Sequence, residues 1–152
     1  MMTPRQRMIS AYQGIKPDLI PVAPEFWCYI PARVLGISMI ELELDVPHWQ
    51  ALQQTFRHYG CEGWGIVAPE APPGLGSKLS RQQRCLPDGS LEEITTAEVM
   101  GRTLRSRRIY DRREPSWQIE RYIKDFDQDW PAYIRMTMLP VDELDWRPVQ
   151  EA

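Results

Sequence analysis

The start of the chain restricts its fold more than any other feature, because a well-capped helix is followed closely by a short apolar segment. Thr3 and Gln6 form the Thr-x-x-Gln pattern of a capping box, and Pro4 occupies the first helical position, where no N–H partner is needed. Gly14 can adopt the left-handed conformation that closes helices. The sequence therefore predicts a helix that begins at Pro4 and ends near Gly14.

The apolar segment, residues 19–24, contains no polar side chain, which is typical of a strand covered on both faces in a parallel sheet. Pro21 and Pro24 argue against a fully paired central strand, since proline has no N–H to donate. A similar segment, residues 63–68, follows a second predicted helix over residues 47–59. Two parallel strands with their helices, the start of an α/β fold, are the resulting prediction.

The second predicted helix carries an apolar stripe. Its members recur at i, i+3, i+7 and i+10, and they are Trp49, Leu52, Phe56 and Tyr59. A helix that lies on a sheet needs an apolar face of this width, so the stripe is interpreted as core rather than as a cofactor site.

In parallel α/β folds, ligands bind beyond the carboxyl ends of the strands. The candidate substrate-binding residues are therefore the polar and aromatic side chains that follow the two segments, namely Glu25, Trp27, Tyr29, Arg33 and Glu70. The two glutamates would occupy equivalent strand ends, where they could act as acid and base or bind a cationic group. The aromatic pair could line a pocket, and the arginine could clamp a carboxylate. The alternative is that all five are solvated or pack at the rim; no catalytic residue is assigned.

The pattern becomes antiparallel after the loop at residues 71–76. Two polar strand-like segments flank the Pro-Asp-Gly turn at residues 87–89, a third follows Gly101, and residues 117–123 alternate in polarity. A small antiparallel β-meander is therefore predicted.

The composition argues against several functional classes. The net charge of -3 does not favour nucleic-acid binding, although arginines cluster over residues 102–113. There is no apolar run of roughly 20 residues and no signal peptide, so we expect a cytoplasmic protein without membrane contact. Three cysteines lack Cys-x-x-Cys spacing, and His48 and His58 lie too far apart on one helix to share an ion, so no metal site is predicted.

Residues 3–14 (TPRQRMISAYQG) and 17–22 (PDLIPV) resemble the start of the uroporphyrinogen decarboxylase superfamily, which also contains methylcobamide:coenzyme M methyltransferases. Weaker similarity continues through residues 32–37 and 59–64. The resemblance implies a lyase or methyltransferase linked to porphyrin or cobamide metabolism and built on a (β/α)8 (TIM) barrel, whose full-length relatives use zinc or a corrinoid. The decarboxylase signature Arg-Gln-Ala-Gly-Arg and the His-x-Cys zinc motif are both missing from this chain.

The combined prediction is a single α/β domain over residues 1–152 that forms the N-terminal part of an incomplete (β/α)8-type barrel, because a whole barrel takes roughly 250 residues. Residues 1–76 would supply the helix and the first βα units, 77–123 the inserted meander, and 124–152 a truncated helical segment. The predicted function is that of a fragment of a uroporphyrinogen decarboxylase-like enzyme, inactive alone, without its own cofactor, and acting on a small molecule once completed. The alternative is a self-contained α+β binding or oligomerisation module without catalysis, which could form a homodimer.

Overall fold

A computed structural model describes residues 1–65, 68–71 and 78–151. These residues belong to two compact units. The first, called here the N-terminal unit, comprises the described part of Met1–Ile66 together with Arg113–Pro115. The second, called the sheet unit, comprises the described parts of Val67–Arg112 and Ser116–Ala152.

The N-terminal unit is helical where it has regular structure. Its helices are α1 (Pro4–Tyr12), α2 (Tyr29–Leu35), α3 (Met39–Leu44) and α4 (His48–Tyr59). α2 and α3 pack on α4 and enclose a small apolar core, whose buried members are Ala32, Met39, Leu42 and Ala51. This core fixes the orientation of α4, the helix that carries the predicted apolar stripe.

The predicted capping box of α1 is confirmed. The Thr3 hydroxyl accepts a hydrogen bond from the backbone N–H of Gln6, and the Gln6 side chain accepts one from the N–H of Thr3. Gly14 follows the helix with a φ of 70°, in the left-handed region, as expected. α1 therefore has a defined start and end that depend only on neighbouring residues.

A buried guanidinium joins α1 to the rest of the N-terminal unit. Arg7 donates from Nε to Asp18 at 2.8 Å and from Nη1 to Glu62. Glu62 also accepts the N–H of Val22 at 2.8 Å, while its own N–H donates to the Val22 carbonyl at 3.0 Å. The Arg7 hydrogen bond holds the pKa of Asp18 at about 2, and the Val22 N–H, followed by Arg7, lowers the pKa of Glu62. One ion-pair cluster thus joins three separate chain segments.

The predicted parallel strands and barrel start are wrong. Residues 19–24 and the described part of residues 63–68 form no strand. The backbone hydrogen bond that links the first segment to this region runs from Glu62, just before the second segment, to Val22. Pro21 and Pro24 cannot donate to a ladder, and the exposure of Leu19 and Val22 shows that the segment is not covered on both faces as a parallel strand requires. The apolar side chains are accordingly exposed, with Ile20 at 87%. Residues 66 and 67 of the second predicted strand lie outside the described residues.

The sheet unit is built on one antiparallel sheet of four strands in the order β1-β2-β3-β4. The strands are β1 (Lys78–Cys85), β2 (Leu91–Val99), β3 (Arg102–Tyr110) and β4 (Trp117–Glu120). The predicted β-meander is therefore confirmed. The first turn has Gly89 at φ 84°. The second turn consists of Met100 (φ 52°) and Gly101 (φ 74°), which lie between the paired residues Val99 and Arg102. Both of these residues have the positive φ that a tight two-residue hairpin needs.

Two helices follow the sheet, α5 (Phe126–Thr137) and α6 (Arg147–Glu151), with a 3-10 turn between them over Val141–Glu143. α5 packs on one face of β2 and β3, where Leu104 and Ala97 meet Ala132 in a buried cluster. Asp129 locks the start of α5, because its carboxylate accepts the N–H of Lys124 at 2.8 Å and the Arg102 guanidinium at 2.6 Å. This face of the sheet is thereby closed by apolar packing and by one buried carboxylate.

The opposite face of the sheet carries a charged ladder. Glu92, only 1% exposed, lies at the centre between Arg84 of β1 and Arg107 of β3, and both arginines donate to its carboxylate. The two arginines, Arg107 first, lower the pKa of Glu92. Glu120 of β4 continues the ladder through Lys124 at 3.2 Å. Glu92 therefore neutralises arginines of both neighbouring strands.

No helix within the described ranges has both the length and the apolar character that crossing a bilayer requires.

Candidate functional site: an aromatic cavity

A cavity of about 320 Å³ lies within the N-terminal unit. Its wall is mainly aromatic and is made by Glu25, Phe26, Trp27, His48, Trp49, Leu52, Phe56, Trp64 and Gly65. Three of the six tryptophans of the chain therefore meet at one opening. We call this site the aromatic cavity.

Three chain segments form the aromatic cavity, and the fold brings them together for identifiable reasons. α4 contributes one helical face, because His48, Trp49, Leu52 and Phe56 follow the spacing of successive turns. The segment after Pro24 and the segment after Glu62 supply the other walls. They are neighbours because Glu62 is hydrogen-bonded to Val22 through both its side chain and its backbone.

Phe56 is a buried ring in the wall of the aromatic cavity. Its ring is only 7% exposed and lies 5.4 Å from that of Phe26, centroid to centroid. Phe26 in turn stacks on Tyr59 at 5.4 Å. Aromatic pairs at such separations attract one another beyond the gain from burial, so these rings form a stable floor for the more exposed tryptophans.

Gly63 allows the Phe56 ring to lie where it does. A Cβ placed on Gly63 would stand 2.5 Å from Cδ2 of that ring, far inside ordinary contact. Gly65, which also lines the aromatic cavity, has open space around the same position. The glycine at 63 is therefore required by the close approach of backbone and ring.

The mouth of the aromatic cavity is exposed while its floor is buried. Trp27 is 67% exposed, Trp49 63% and Trp64 40%. Exposed rings that share one cavity form a contiguous apolar patch, and such patches are typical of binding sites because covering them releases water. The arrangement is that of an open site with amphipathic rims.

Two polar side chains lie in the wall, Glu25 and His48. Both are exposed, and within residues 1–65, 68–71 and 78–151 neither forms an ion pair or a side-chain hydrogen bond. None of the described wall residues is a lysine or an arginine. The described wall of the aromatic cavity therefore contains one carboxylate that is not paired with a cation of that wall.

The structure brings together two of the five residues predicted from the sequence. Glu25 and Trp27 line the aromatic cavity. Tyr29 and Arg33 lie on α2 and are not part of its wall. Glu70 belongs to the sheet unit, where its backbone exchanges hydrogen bonds of 3.0 and 2.8 Å with Asp145 in an isolated antiparallel bridge. The predicted pairing of Glu25 and Glu70 at equivalent parallel strand ends fails, because those strands are absent.

Tyr29 has a structural partner. Its hydroxyl donates to the carboxylate of Glu114, which belongs to the same unit. This hydrogen bond to a carboxylate raises the pKa of the Tyr29 hydroxyl. Tyr29 thus ties residues 113–115 to α2, and its ring is not among the described wall residues of the aromatic cavity.

Most of the wall was missed by the sequence reasoning, although a signal for it existed. The stripe on α4 was interpreted as core, but Trp49 and Tyr59 are exposed, and Trp49, Leu52 and Phe56 face the aromatic cavity. The signal was the density of aromatic side chains in three short segments. The helical period identifies the face that they share but does not indicate what covers it.

A second cavity, of about 440 Å³, lies in the sheet unit and is lined by Gln118, Arg121, Tyr122, Ile123 and Tyr133. Tyr122 and Tyr133 pack against each other, with centroids 6.2 Å apart, and against the core beneath α5. These rings are already used in packing, so this cavity is the weaker candidate for a binding site.

Over the described part of the chain, no group of three or more histidine, cysteine, aspartate or glutamate side chains could hold a metal ion.

Comparisons with models of known protein families, with curated proteins and with solved structures found no significant match to this chain.

Proposed function

We propose that this chain is the substrate-binding N-terminal part of an enzyme similar to the uroporphyrinogen decarboxylase and methylcobamide:coenzyme M methyltransferase superfamily. The aromatic cavity is the part of the binding site that it contributes. Turnover is not expected from this chain alone, because the two titratable side chains of the described wall, Glu25 and His48, are not hydrogen-bonded to each other as an activated pair would be.

One observation carries this proposal. Glu25 and Trp27, which directly follow the family-like segment in sequence, line a cavity with three helical turns of α4 and with Trp64. Binding sites for small molecules are typically concave, largely apolar and aromatic, and furnished with a few polar groups. The aromatic cavity has this composition, and its volume of about 320 Å³ is at the small end of the usual range.

The test uses the indole N–H signals of the six tryptophans in an NMR spectrum of the 15N-labelled chain. Single Trp→Phe variants assign the signals. The compounds titrated represent the classes that the resemblance implies: a porphyrin carboxylate, cyanocobalamin and the thiol coenzyme M. At least one should shift the signals of Trp27, Trp49 and Trp64 and leave those of Trp117, Trp130 and Trp146 in place.

Two results would overturn the proposal. One is the absence of any shift at the three cavity tryptophans with all three compounds. The other is a uniform broadening of all six signals that increases with protein concentration and that no compound changes. An oligomerisation module would behave in this way, whereas a substrate-binding part would not.

A further inference from the structure

We propose that the aromatic cavity binds a methylated ammonium group, such as the trimethylammonium head of a small organic cation. This inference rests on the proposed function only in taking the cavity as a ligand site. The charge, the ring content and the volume of that cavity each favour this ligand.

The ring content favours a cation. Tryptophan is the best aromatic partner for a cation, because the face of its ring is electron-rich, and cages of several rings are the usual site for quaternary ammonium ligands. Trp27, Trp49 and Trp64 surround the opening and Phe26 and Phe56 form the floor. The cavity in the sheet unit has no tryptophan among its described wall residues.

The charge of the wall favours the same ligand. Glu25 places one carboxylate in the wall, and none of the described wall residues is an arginine or a lysine. An anionic group inside the cavity would face the Glu25 carboxylate without a compensating cation, so the acidic groups of a porphyrin carboxylate or of coenzyme M would have to lie outside it. A cationic ligand would gain from the carboxylate and from the ring faces together.

The scarcity of hydrogen-bond acceptors selects a methylated ammonium over a plain one. An –NH₃⁺ group is strongly hydrated and has three donors to satisfy. The wall offers it the Glu25 carboxylate and the His48 imidazole among seven other residues that are aromatic, leucine or glycine. A trimethylammonium group has no N–H, so it loses less on leaving water and contacts the rings through its methyl groups.

The volume is sufficient. Tetramethylammonium has five heavy atoms and takes roughly 150 Å³, at the ~30 Å³ that a water-sized group occupies. The aromatic cavity of about 320 Å³ therefore accepts the head group and leaves room for the chain that carries it.

Choline is the probe, and its neutral carbon isostere, 3,3-dimethylbutan-1-ol, is the control for shape and apolar character. Ammonium chloride at the same concentration controls for charge and ionic strength. In the full 152-residue chain, choline should shift the indole signals of Trp27, Trp49 and Trp64. The isostere should bind at least about threefold more weakly, which is the smaller end of a cation–π contribution.

Matched variants separate the cavity from the rest of the surface. Glu25→Gln and Trp49→Leu should each weaken choline binding about threefold to tenfold. Glu70→Gln removes the same charge outside the cavity, and Trp146→Leu removes an exposed ring of the sheet unit. Both control variants should bind choline as the unchanged chain does. Since Trp49 is 63% exposed on α4, its replacement should leave the fold intact.

The inference is overturned if choline and its isostere bind equally, if choline shifts no cavity signal, or if Glu25→Gln and Glu70→Gln have the same effect. A cavity that responds to the porphyrin, cobalamin or thiol but not to choline refutes this inference and leaves the proposed function standing. A response to choline alone, with Glu25→Gln weakening it, supports the ligand class and refutes the proposed similarity of function.

Discussion

Replacing Gly63 with alanine should destabilise the N-terminal unit by pressing on the floor of the aromatic cavity. The new Cβ would lie 2.5 Å from Cδ2 and 2.9 Å from Cγ of Phe56. Carbon atoms in contact are ordinarily about 3.5 Å or more apart, so the ring or the backbone must shift by about 1 Å. Phe56 cannot move freely, because it is buried and packs on Phe26.

The expected loss is about 1–3 kcal/mol of unfolding free energy, the usual cost of overpacking a filled core. For a unit of this size, this corresponds to a fall in melting temperature of at least about 4 °C. Gly65→Ala is the matched control, because nothing lies within 4 Å of its added Cβ. Any entropic gain from replacing glycine applies to both variants, so their difference isolates the collision.

Urea unfolding followed by tryptophan fluorescence measures both variants, and a double-mutant cycle identifies the colliding group. In a Phe56→Ala background, Cγ and all the other ring atoms are gone, so Gly63→Ala should cost less than about 0.5 kcal/mol. The reasoning is refuted if Gly63→Ala and Gly65→Ala are equally stable, or if the cost of Gly63→Ala is the same in both backgrounds.

Two further predictions concern the sheet unit. Leu104→Ala should lower the free energy of unfolding in urea by about 2–5 kcal/mol, because this side chain is 1% exposed beneath α5. Leu79 is 49% exposed, so Leu79→Ala should change it by no more than about 0.5 kcal/mol. Equal losses for the two variants would contradict the assigned core. The backbone N–H groups of Asp125 and Lys124, followed by Arg102, lower the pKa of Asp129 from 3.8 to about 2. The ionised carboxylate therefore contributes stability that is complete above pH 3.8 and is lost as the pH falls towards 2. Asp129→Asn should therefore lose less stability over that pH range than the unchanged chain, and parallel pH profiles would contradict this assignment.

The elements that could be predicted from the sequence are those whose signals are local. The capping box of Thr3 and Gln6 acts over three residues, and the turn at Gly89 acts over five. Each satisfies its own backbone groups whatever the rest of the chain does. The start of α1 and the β-meander were predicted correctly for this reason.

The parallel strands were predicted wrongly because their signal is not local. An apolar run such as residues 19–24 becomes a strand only if neighbours supply a ladder of hydrogen bonds and helices cover both faces. Here the direct pairing is limited to Glu62 and Val22, and two prolines remove donors from the run. Composition alone does not distinguish a buried strand from an extended segment that leaves Ile20 exposed.

The aromatic cavity could be predicted only in part. Glu25 and Trp27 were selected because they follow an apolar segment, and they do lie together. The contribution of α4 was not foreseen, because the period of Trp49 and Phe56 is the same for a helix that packs on a core and for one that borders an opening. The difference lies in which chain segments reach the helix, and this depends on contacts between residues far apart in sequence.

The Arg7 cluster imposes an order of events on the synthesis of the chain. Its guanidinium pairs with Glu62, which is 55 residues further along. At roughly 5–20 residues per second, about 3–11 s pass between the addition of the two residues. Throughout that interval α1 has its own caps but no complete set of charge partners. α1 therefore receives its last charge partner only after α2, α3 and α4 of the same unit have been synthesised, and the residue that completes its anchoring also positions the wall that follows Gly63.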